Sequence, residues 1–317
     1  MFGTWIKIGM LALLLLAPSR LGRNLWQPLP APLADQPAVG ATVDSFAFRL
    51  IVEDSVPIRK YFPWMDSLVL AYDSLVPYPL TEHLIVRANP WIIDSLAETD
   101  YYRQKEKGRF IYDQAGMPAL RKGDTLGIPG PEMALRILAR IANTVIDVNI
   151  PEYTLRILEG TDTLYTFPVR VGRNERKYLE MAGRVVDLRT AVGEGSIVRI
   201  ERYPAWINPS DCKPYEVTRR DDGLLTACPQ IPWLEPEING RRLGHLIHPT
   251  TNPRTLGRAY SNGCIGTKEC DAWFVYYHAP LGTRVVFRYD LWTVGPEGDT
   301  VRLRNIYRRK DPPSGTH

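Results

Sequence analysis

The sequence predicts a mainly β domain that contains one short helix and is preceded by a small α+β domain. The first observation is that apolar residues recur at helical spacing in the first part of the chain and then begin to alternate. The second is the alternation over 144–171, which flanks a Gly-Thr-Asp turn and is typical of a β-hairpin. Residues 196–203 and 282–292 are predicted as further strands, and 268–279 as the helix.

Residues 44–130 are predicted to form the small α+β domain. The segment 64–75 shows helical spacing through Met65, Leu68, Leu70 and Tyr72, and 80–90 repeats it with Thr81 as an N-cap. A turn at 122–124 leads into a short strand. The helix ending in Asn-Pro and the closing Leu-Arg-Lys-Gly-Asp-Thr-Leu-Gly-Ile-Pro resemble a LysM peptidoglycan-binding module, which implies a cell-wall glycan as ligand. An unrelated packing domain is the alternative reading of the same pattern.

A connecting helix is predicted over 131–143, because Pro131 suits the first helical turn and the apolar residues that follow form one stripe. The stripe consists of Met133, Ala134, Ile137, Leu138 and Ile141. The mainly β domain then covers 144–292, and a C-terminal extension with no predicted function covers 293–317.

The N-terminus predicts export. Residues 1–25 contain a lysine, an uninterrupted apolar run and two arginines, as in a secretory signal, and an uncleaved membrane anchor is the alternative. Residues 26–43 form a proline-rich linker. We therefore expect a periplasmic or cell-envelope protein that touches the membrane only through this segment. A net charge of +4 over 317 residues, with basic and acidic residues interleaved, does not indicate a nucleic-acid partner.

All four cysteines lie in the last third of the chain. Cys212 and Cys228 flank a loop-like segment and are candidates for a disulfide in an oxidising compartment. Cys270 falls inside the predicted helix and is interpreted as structural. The cysteine and histidine spacings do not match a zinc site, so we expect no metal and no cofactor.

Cys264 differs from the other cysteines because it ends the turn Ser-Asn-Gly-Cys. A cysteine attacks as its thiolate, which a helix N-terminus or a neighbouring imidazole stabilises. The predicted helix supplies the first, and His248, at the end of a short strand, supplies the second. Gly263 lets a substrate approach the backbone, where the amides of Gly263 and Cys264 could bind an oxyanion. His245 is the competitor for the role of base, and a buried structural thiol is the alternative for Cys264.

The segment from Leu246 to Phe287 resembles the catalytic segment of the L,D-transpeptidase family. That family has a histidine, a loop ending in glycine, Ser-His-Gly-Cys, a helix with Asp-Ala, and a Gly-Thr-x-Val strand. The matching residues are His248, Gly257, Ser261, Asn262, Gly263, Cys264, Ile265, Asp271, Ala272, Gly282, Thr283 and Val285. The resemblance extends upstream over the hairpin and covers about residues 144–290.

The resemblance implies a β-sandwich-like domain in which Cys264 is the nucleophile and His248 moves the proton, while Ser261 and Gly263 shape the turn. The implied reaction takes the acyl group of a peptidoglycan tetrapeptide stem, releases the terminal D-alanine, and passes the acyl group to an amine or to water. L,D-transpeptidation, L,D-carboxypeptidation and non-catalytic peptidoglycan binding remain as alternatives.

Three positions depart from the family pattern. Asn262 replaces its second histidine, Gly266 replaces an arginine after Cys-Ile, and Pro249 replaces a glycine. We expect Arg258 to replace the charge of that arginine spatially. Asn262 can form hydrogen bonds but cannot shuttle a proton.

The remaining candidates are predicted to contact the substrate. They are Arg258, Tyr260 and Trp206, the last within the proline-rich segment 201–244. That segment is predicted to form a lid or wall over the cleft, and the alternative is that Trp206 and Trp233 only pack the loop.

Overall fold

The structure is a computed structural model that describes residues 45–295 and 297–309. The described residues belong to one compact unit. The predicted signal or anchor segment 1–25 and the predicted linker 26–43 lie outside the described residues. Within the described part, no helix is long and apolar enough to cross a bilayer.

An α+β region opens the described chain. Its elements are β1 (Phe46–Ile51), β2 (Val56–Pro57), α1 (Ile58–Tyr72), α2 (Glu82–Ala88), α3 (Trp91–Ala97), α4 (Tyr101–Glu106), β3 (Pro118–Leu120), β4 (Thr125–Pro129) and α5 (Pro131–Ala142). Strand β1 pairs antiparallel with β4, and β2 pairs antiparallel with β3. Strand β4, late in the region, therefore pairs with β1 at its start, and helices α1 to α4 lie between them in the sequence.

The predicted helices of this region are confirmed, with one correction inside α1. The Thr81 side chain accepts a hydrogen bond from Leu84 N at 3.1 Å and caps α2, as expected. In α1, Met65 and Leu68 are buried, but Leu70, predicted on the same stripe, is 83% exposed. Leu70 lies five residues after Met65, which turns its side chain about 140° away from the buried face.

The mainly β region follows α5. Its elements are β5 (Thr144–Asn149), β6 (Thr154–Glu159), β7 (Asp162–Pro168), β8 (Val171–Gly172), β9 (Arg176–Leu179), β10 (Arg184–Asp187), β11 (Gly193–Glu201), β12 (Val217–Arg219), β13 (Leu225–Ala227), β14 (Trp233–Ile238), β15 (Arg241–Arg242), β16 (Ile247–Pro249), β17 (Ala259–Ser261), β18 (Ile265–Thr267), α6 (Glu269–His278), β19 (Arg284–Arg288), β20 (Trp292–Val294) and β21 (Thr300–Arg302).

One nine-stranded sheet organises this region. Its order is β18-β16-β14-β11-β19-β5-β6-β7, with β15 added beside β14. The predicted hairpin is β6 and β7, which pair antiparallel. Only two neighbouring pairs in this sheet, β19 with β5 and β16 with β18, are parallel among the described strands. The predicted fold class, a mainly β domain after a smaller α+β region, is confirmed, and the sheet is nearly closed.

Helix α6 is buried on nearly all sides, since it packs between the sheet and the α+β region. Asp100 Oδ2 accepts a hydrogen bond from Cys270 N at 2.9 Å, and Tyr101 N donates to Glu269 Oε2 at 3.1 Å. Lys268, at the N-cap position, makes no side-chain capping bond. The cap of α6 is therefore supplied by Asp100, from the α+β region.

Candidate functional site

Cys264 ends a tight turn that depends on its glycine. Gly263 has φ +113°, a conformation that side chains rarely adopt, and an added Cβ would lie 2.5 Å from His245 Nε2. Ser261 Oγ donates to Cys264 O at 2.6 Å and accepts from Gly263 N at 3.2 Å. The two residues that the sequence assigned to the nucleophile turn therefore fix its shape.

The parallel pair β16–β18 places Cys264 and His248 on one face of the sheet. His248 is aligned with Gly266, and the preceding pair, Ile247 and Ile265, is buried in the core. Cys264 comes directly before β18, two residues from Gly266, so the two positions lie on the same face of the sheet. Because side chains alternate along a strand, Cys264 and His248 point away from the core, two residues apart along neighbouring strands.

Backbone groups on either side of the Cys264 thiol can bond to each of its protonation states. Leu246 N donates to Sγ at 3.4 Å, while Gly244 O lies 3.7 Å from Sγ and can accept the S–H. The side chain itself is partly exposed. Burial raises the pKa of Cys264, and the Leu246 N–H and the charge of Arg170 oppose that rise. The resting thiol is thus protonated at neutral pH.

His248 is arranged as a neutral base. Its Nδ1 lies 2.8 Å from Pro249 O, and because a carbonyl only accepts, Nδ1 carries the hydrogen and Nε2 is left unprotonated. Burial, and then the charge of Arg170, lower the pKa of His248 to about 3. The rings of Trp206 and Trp233 pack beside the imidazole, with centroids at 6.4 and 5.4 Å. The rings and the carbonyl together hold the imidazole in one orientation.

These pKa shifts predict how the thiol responds to pH. With the pKa of Cys264 raised and that of His248 far below neutrality, the resting protein holds no thiolate–imidazolium pair. We expect the rate of Cys264 alkylation by iodoacetamide to rise in one step above the ordinary thiol pKa of about 8.5. Stopped alkylation read by intact-protein mass spectrometry between pH 5 and 10 tests this, and a plateau of fast alkylation below about pH 7 contradicts it.

Arg170 is the site residue that the sequence analysis missed. Its backbone forms two hydrogen bonds with that of Gly266. Arg170 N donates to Gly266 O at 2.9 Å, and Gly266 N donates to Arg170 O at 3.0 Å. A Cβ on residue 266 would lie 2.5 Å from Arg170 Nε and 2.7 Å from its Cγ. The glycine therefore makes room for this side chain to cross the sheet face over position 266, which is aligned with His248.

The role expected of Arg258 stays a prediction. Arg258 is exposed, whereas Arg170 acts on the pKa values of both Cys264 and His248. A glycine at an alternating strand position beside the nucleophile was the available signal, since such a glycine often marks the close approach of another group.

The predicted helix N-terminus is not beside Cys264. Strand β18 lies between the thiol and α6, which begins only at Glu269. The field of a helix terminus acts mainly within the adjoining turn, so the Leu246 N–H and Arg170 take its place in stabilising a thiolate.

The backbone amides near Cys264 differ in their availability. Gly263 N is already bonded to Ser261 Oγ, while Cys264 N donates to no partner among the described residues. Asn262, at the position of the family's second histidine, accepts from Arg173 Nη2 at 2.6 Å. The amide of Cys264 is thus the one free to bind an oxyanion, a role that stays a prediction.

The other predicted residues occupy varied places. Trp206 is buried and donates to Pro229 O at 3.2 Å, so it packs the segment over His248, whereas Tyr260 is 58% exposed. Cys212 is exposed and Cys228 is buried, and both are free, so the suggested disulfide is not formed. Among the residues that the structure describes, no group of three or more His, Cys, Asp or Glu side chains could hold a metal ion.

Comparisons with known proteins agree with the sequence resemblance. The family model of the L,D-transpeptidase catalytic domain, YkuD, matches residues 143–287. No curated protein matches the chain. The resemblance to this family is confirmed over the matched segment, and the LysM-like reading of residues 44–130 stays a prediction.

The chain is also similar, at low identity, to solved L,D-transpeptidases. An L,D-transpeptidase from Mycobacterium smegmatis is 16% identical with a TM-score of 0.31, over 46% of this chain and 59% of that one. One from Xylanimonas cellulosilytica is 13% identical with a TM-score of 0.34, over 78% and 100%. L,D-transpeptidase 3 from Mycobacterium tuberculosis, solved with a faropenem-derived adduct, is 17% identical with a TM-score of 0.30, over 46% and 60%. This chain thus spans less than two thirds of the first and third of these structures.

Proposed function

We propose that Cys264 transfers the acyl group of a peptidoglycan tetrapeptide stem to an amine, a proposal supported by the match of residues 143–287 to the family model of the L,D-transpeptidase catalytic domain. The product is an L,D cross-link. One observation carries the proposal: a partly exposed thiol lies on the same sheet face as His248, whose Nδ1 is fixed by Pro249 O. A nucleophile, a base and a group that orients the base are the parts that covalent acyl transfer needs.

In the first step, Nε2 of His248 takes the thiol proton as Cys264 Sγ attacks the carbonyl carbon that follows the stem's third residue. The carbonyl electrons move onto oxygen, where the free Cys264 N–H can stabilise the charge. When the C–N bond breaks, the imidazolium returns its proton to the departing nitrogen. D-alanine leaves, and a thioester remains on Cys264.

In the second step, the amine of another stem attacks the thioester carbon. Nε2 accepts a proton from that nitrogen, the C–S bond breaks, and the proton passes to sulfur. Nothing in this sequence needs a metal or an oxidant, since bonds only exchange between carbon, nitrogen and sulfur. Because Pro249 O holds the hydrogen on Nδ1, Nε2 of His248 is unprotonated before each attack and can accept a proton in both steps.

Two alternatives share parts of this site. An L,D-carboxypeptidase would use the same residues with water in place of the amine. A non-catalytic wall-binding protein would keep the fold, but it would have no need for a partly exposed thiol beside an oriented imidazole.

The test combines two substrates. A carbapenem should form a stable adduct with the wild type and none with Cys264→Ala, as read by intact-protein mass spectrometry. A disaccharide-tetrapeptide should yield a cross-linked dimer and free D-alanine. Tripeptide alone supports the carboxypeptidase, and no adduct on folded wild-type protein refutes catalysis.

The cellular setting is part of the same proposal. We place the protein in the cell envelope, exported or anchored through residues 1–25, with stem peptides as its partners. Residues 44–130 are proposed to contact the wall glycan. A pull-down on purified peptidoglycan, with and without substitutions on the exposed face of α1, tests that contact.

A further inference from the structure

The Arg170 side chain has no counter-charge among the described residues. Its Nε is buried and has no hydrogen-bond partner, and its Nη1 reaches only Thr255 Oγ1, at 3.3 Å. No carboxylate lies within ion-pair distance among the described residues, although Asp221 acts on its pKa from further away. Other partly buried arginines of the described chain, such as Arg87 and Arg156, do have carboxylate partners.

A desolvated guanidinium without a carboxylate is costly unless an anion occupies the site part of the time. Burial lowers the pKa of Arg170, although an arginine remains charged at any ordinary pH. The side chain presents donors in a planar fork that fits a carboxylate in two-point contact. Arg170 is therefore built to receive a carboxylate that the protein does not itself supply.

The position of Arg170 indicates which carboxylate this is. Its side chain crosses the sheet face over Gly266, which is aligned with His248 and lies two residues after Cys264. In the proposed reaction the departing nitrogen is protonated by His248. On a terminal D-amino acid the carboxylate carbon is only two bonds from that nitrogen, so the carboxylate lies within reach of a group beside His248.

We propose that Arg170 binds the terminal carboxylate of the donor stem's leaving D-amino acid and so restricts donors to stems with a free C-terminus. This rests on the proposed function, since it names a feature of that function's substrate. Arg170 acts here as a specificity-determining residue, and Gly266 is the residue that admits it.

The experiment measures wild-type protein and Arg170→Met with each of two donors. The donors are a disaccharide-tetrapeptide ending in D-alanine and the same compound ending in D-alaninamide. Wild-type protein should prefer the free acid by about 10- to 100-fold in kcat/KM, mainly through KM, as expected for a charge-assisted contact. Arg170→Met should lose this preference and use both donors at equal rates.

The design separates recognition from electrostatic activation of the thiol. Loss of a positive charge near Cys264 slows reaction with both donors equally, whereas loss of the carboxylate contact affects only the acid. Arg284→Met, which removes an exposed arginine of β19 outside the site, is the matched control and should keep the wild-type preference. Thermal unfolding of each variant confirms that it is folded.

Two results overturn the assignment. If Arg170→Met keeps the wild-type preference, the carboxylate is bound elsewhere. The second result needs a further donor, in which the side-chain carboxylate of the third stem residue is amidated. If Arg170→Met changes only the preference between this donor and its free acid, Arg170 binds the side-chain carboxylate and the proposal is wrong. If wild-type protein is acylated by neither donor although iodoacetamide alkylates Cys264, the proposed function itself fails, and this inference falls with it.

Discussion

Replacing His248 with glutamine is expected to slow acylation of Cys264 by a carbapenem by about 100- to 10,000-fold. Glutamine can still bond to Pro249 O, but it cannot accept the thiol proton. Since the pKa of Cys264 is raised, little thiolate forms without that base at neutral pH. The second-order rate constant of adduct formation, followed by intact-protein mass spectrometry at pH 7.5, measures the loss.

His245→Gln is the matched comparison. His245 packs against Gly263, and its Nδ1 accepts only a long hydrogen bond, 3.4 Å, from Ala191 N. We expect this variant to lose less than about tenfold, through a small shift of the turn. A reversed order, with the larger loss in His245→Gln, would assign the base to His245 and contradict the role given to His248.

The sequence was sufficient for the elements whose apolar period is long. Strands β6 and β7 alternate over residues 154–157 and 165–168, on either side of a turn, and α5 has its proline and its apolar stripe. Strand β18 is different, because three residues between a turn and a helix carry too little periodicity to reveal a strand. This is why the helix was placed next to Cys264.

The nucleophile and its base were predictable because both lie in one contiguous segment. Arg170 was not, since it is far upstream and reaches the site through a single backbone bridge to Gly266. Local patterns do not encode such a pairing. Likewise, the sequence marked Trp206 as a substrate contact, but only the fold shows that its ring packs beside His248.

The sequence predicts an α+β domain at residues 44–130 but not its contacts with the β domain. In the structure Asp100 caps α6, and Tyr61 shares a hydroxyl hydrogen bond of 2.7 Å with Tyr277. The sequence of α6 predicts a helix but does not indicate which of its residues contact the α+β region. Their partners are distant in sequence, so the shared core becomes visible only in three dimensions.

Arg220→Met is expected to lower the free energy of unfolding by about 3–5 kcal/mol, the cost of leaving a buried charge unpaired. Arg220 and Glu269 form an ion pair whose side chains are 0% and 1% exposed. Arg220 also donates to Thr226 Oγ1 at 2.7 Å and to Gln114 Oε1 at 3.2 Å. It thereby ties the segment over His248 to α6 and to the α+β region. Urea unfolding followed by tryptophan fluorescence measures the loss.

Arg284→Met is the control for this change. Arg284 pairs with Glu194 at 2.7 Å, but both side chains are about 60% exposed, so the pair should contribute at most about 1 kcal/mol.

The stability lost in Arg220→Met should also depend on pH. Burial already raises the pKa of Glu269, and Arg220 opposes that rise. Without Arg220 the folded protein holds the Glu269 proton to higher pH than the unfolded chain does, so stability falls as pH rises. The deficit of Arg220→Met should therefore be larger at pH 8 than at pH 5. Equal losses in the two variants, or a deficit that grows toward low pH, would show that the buried pair does not hold these parts together.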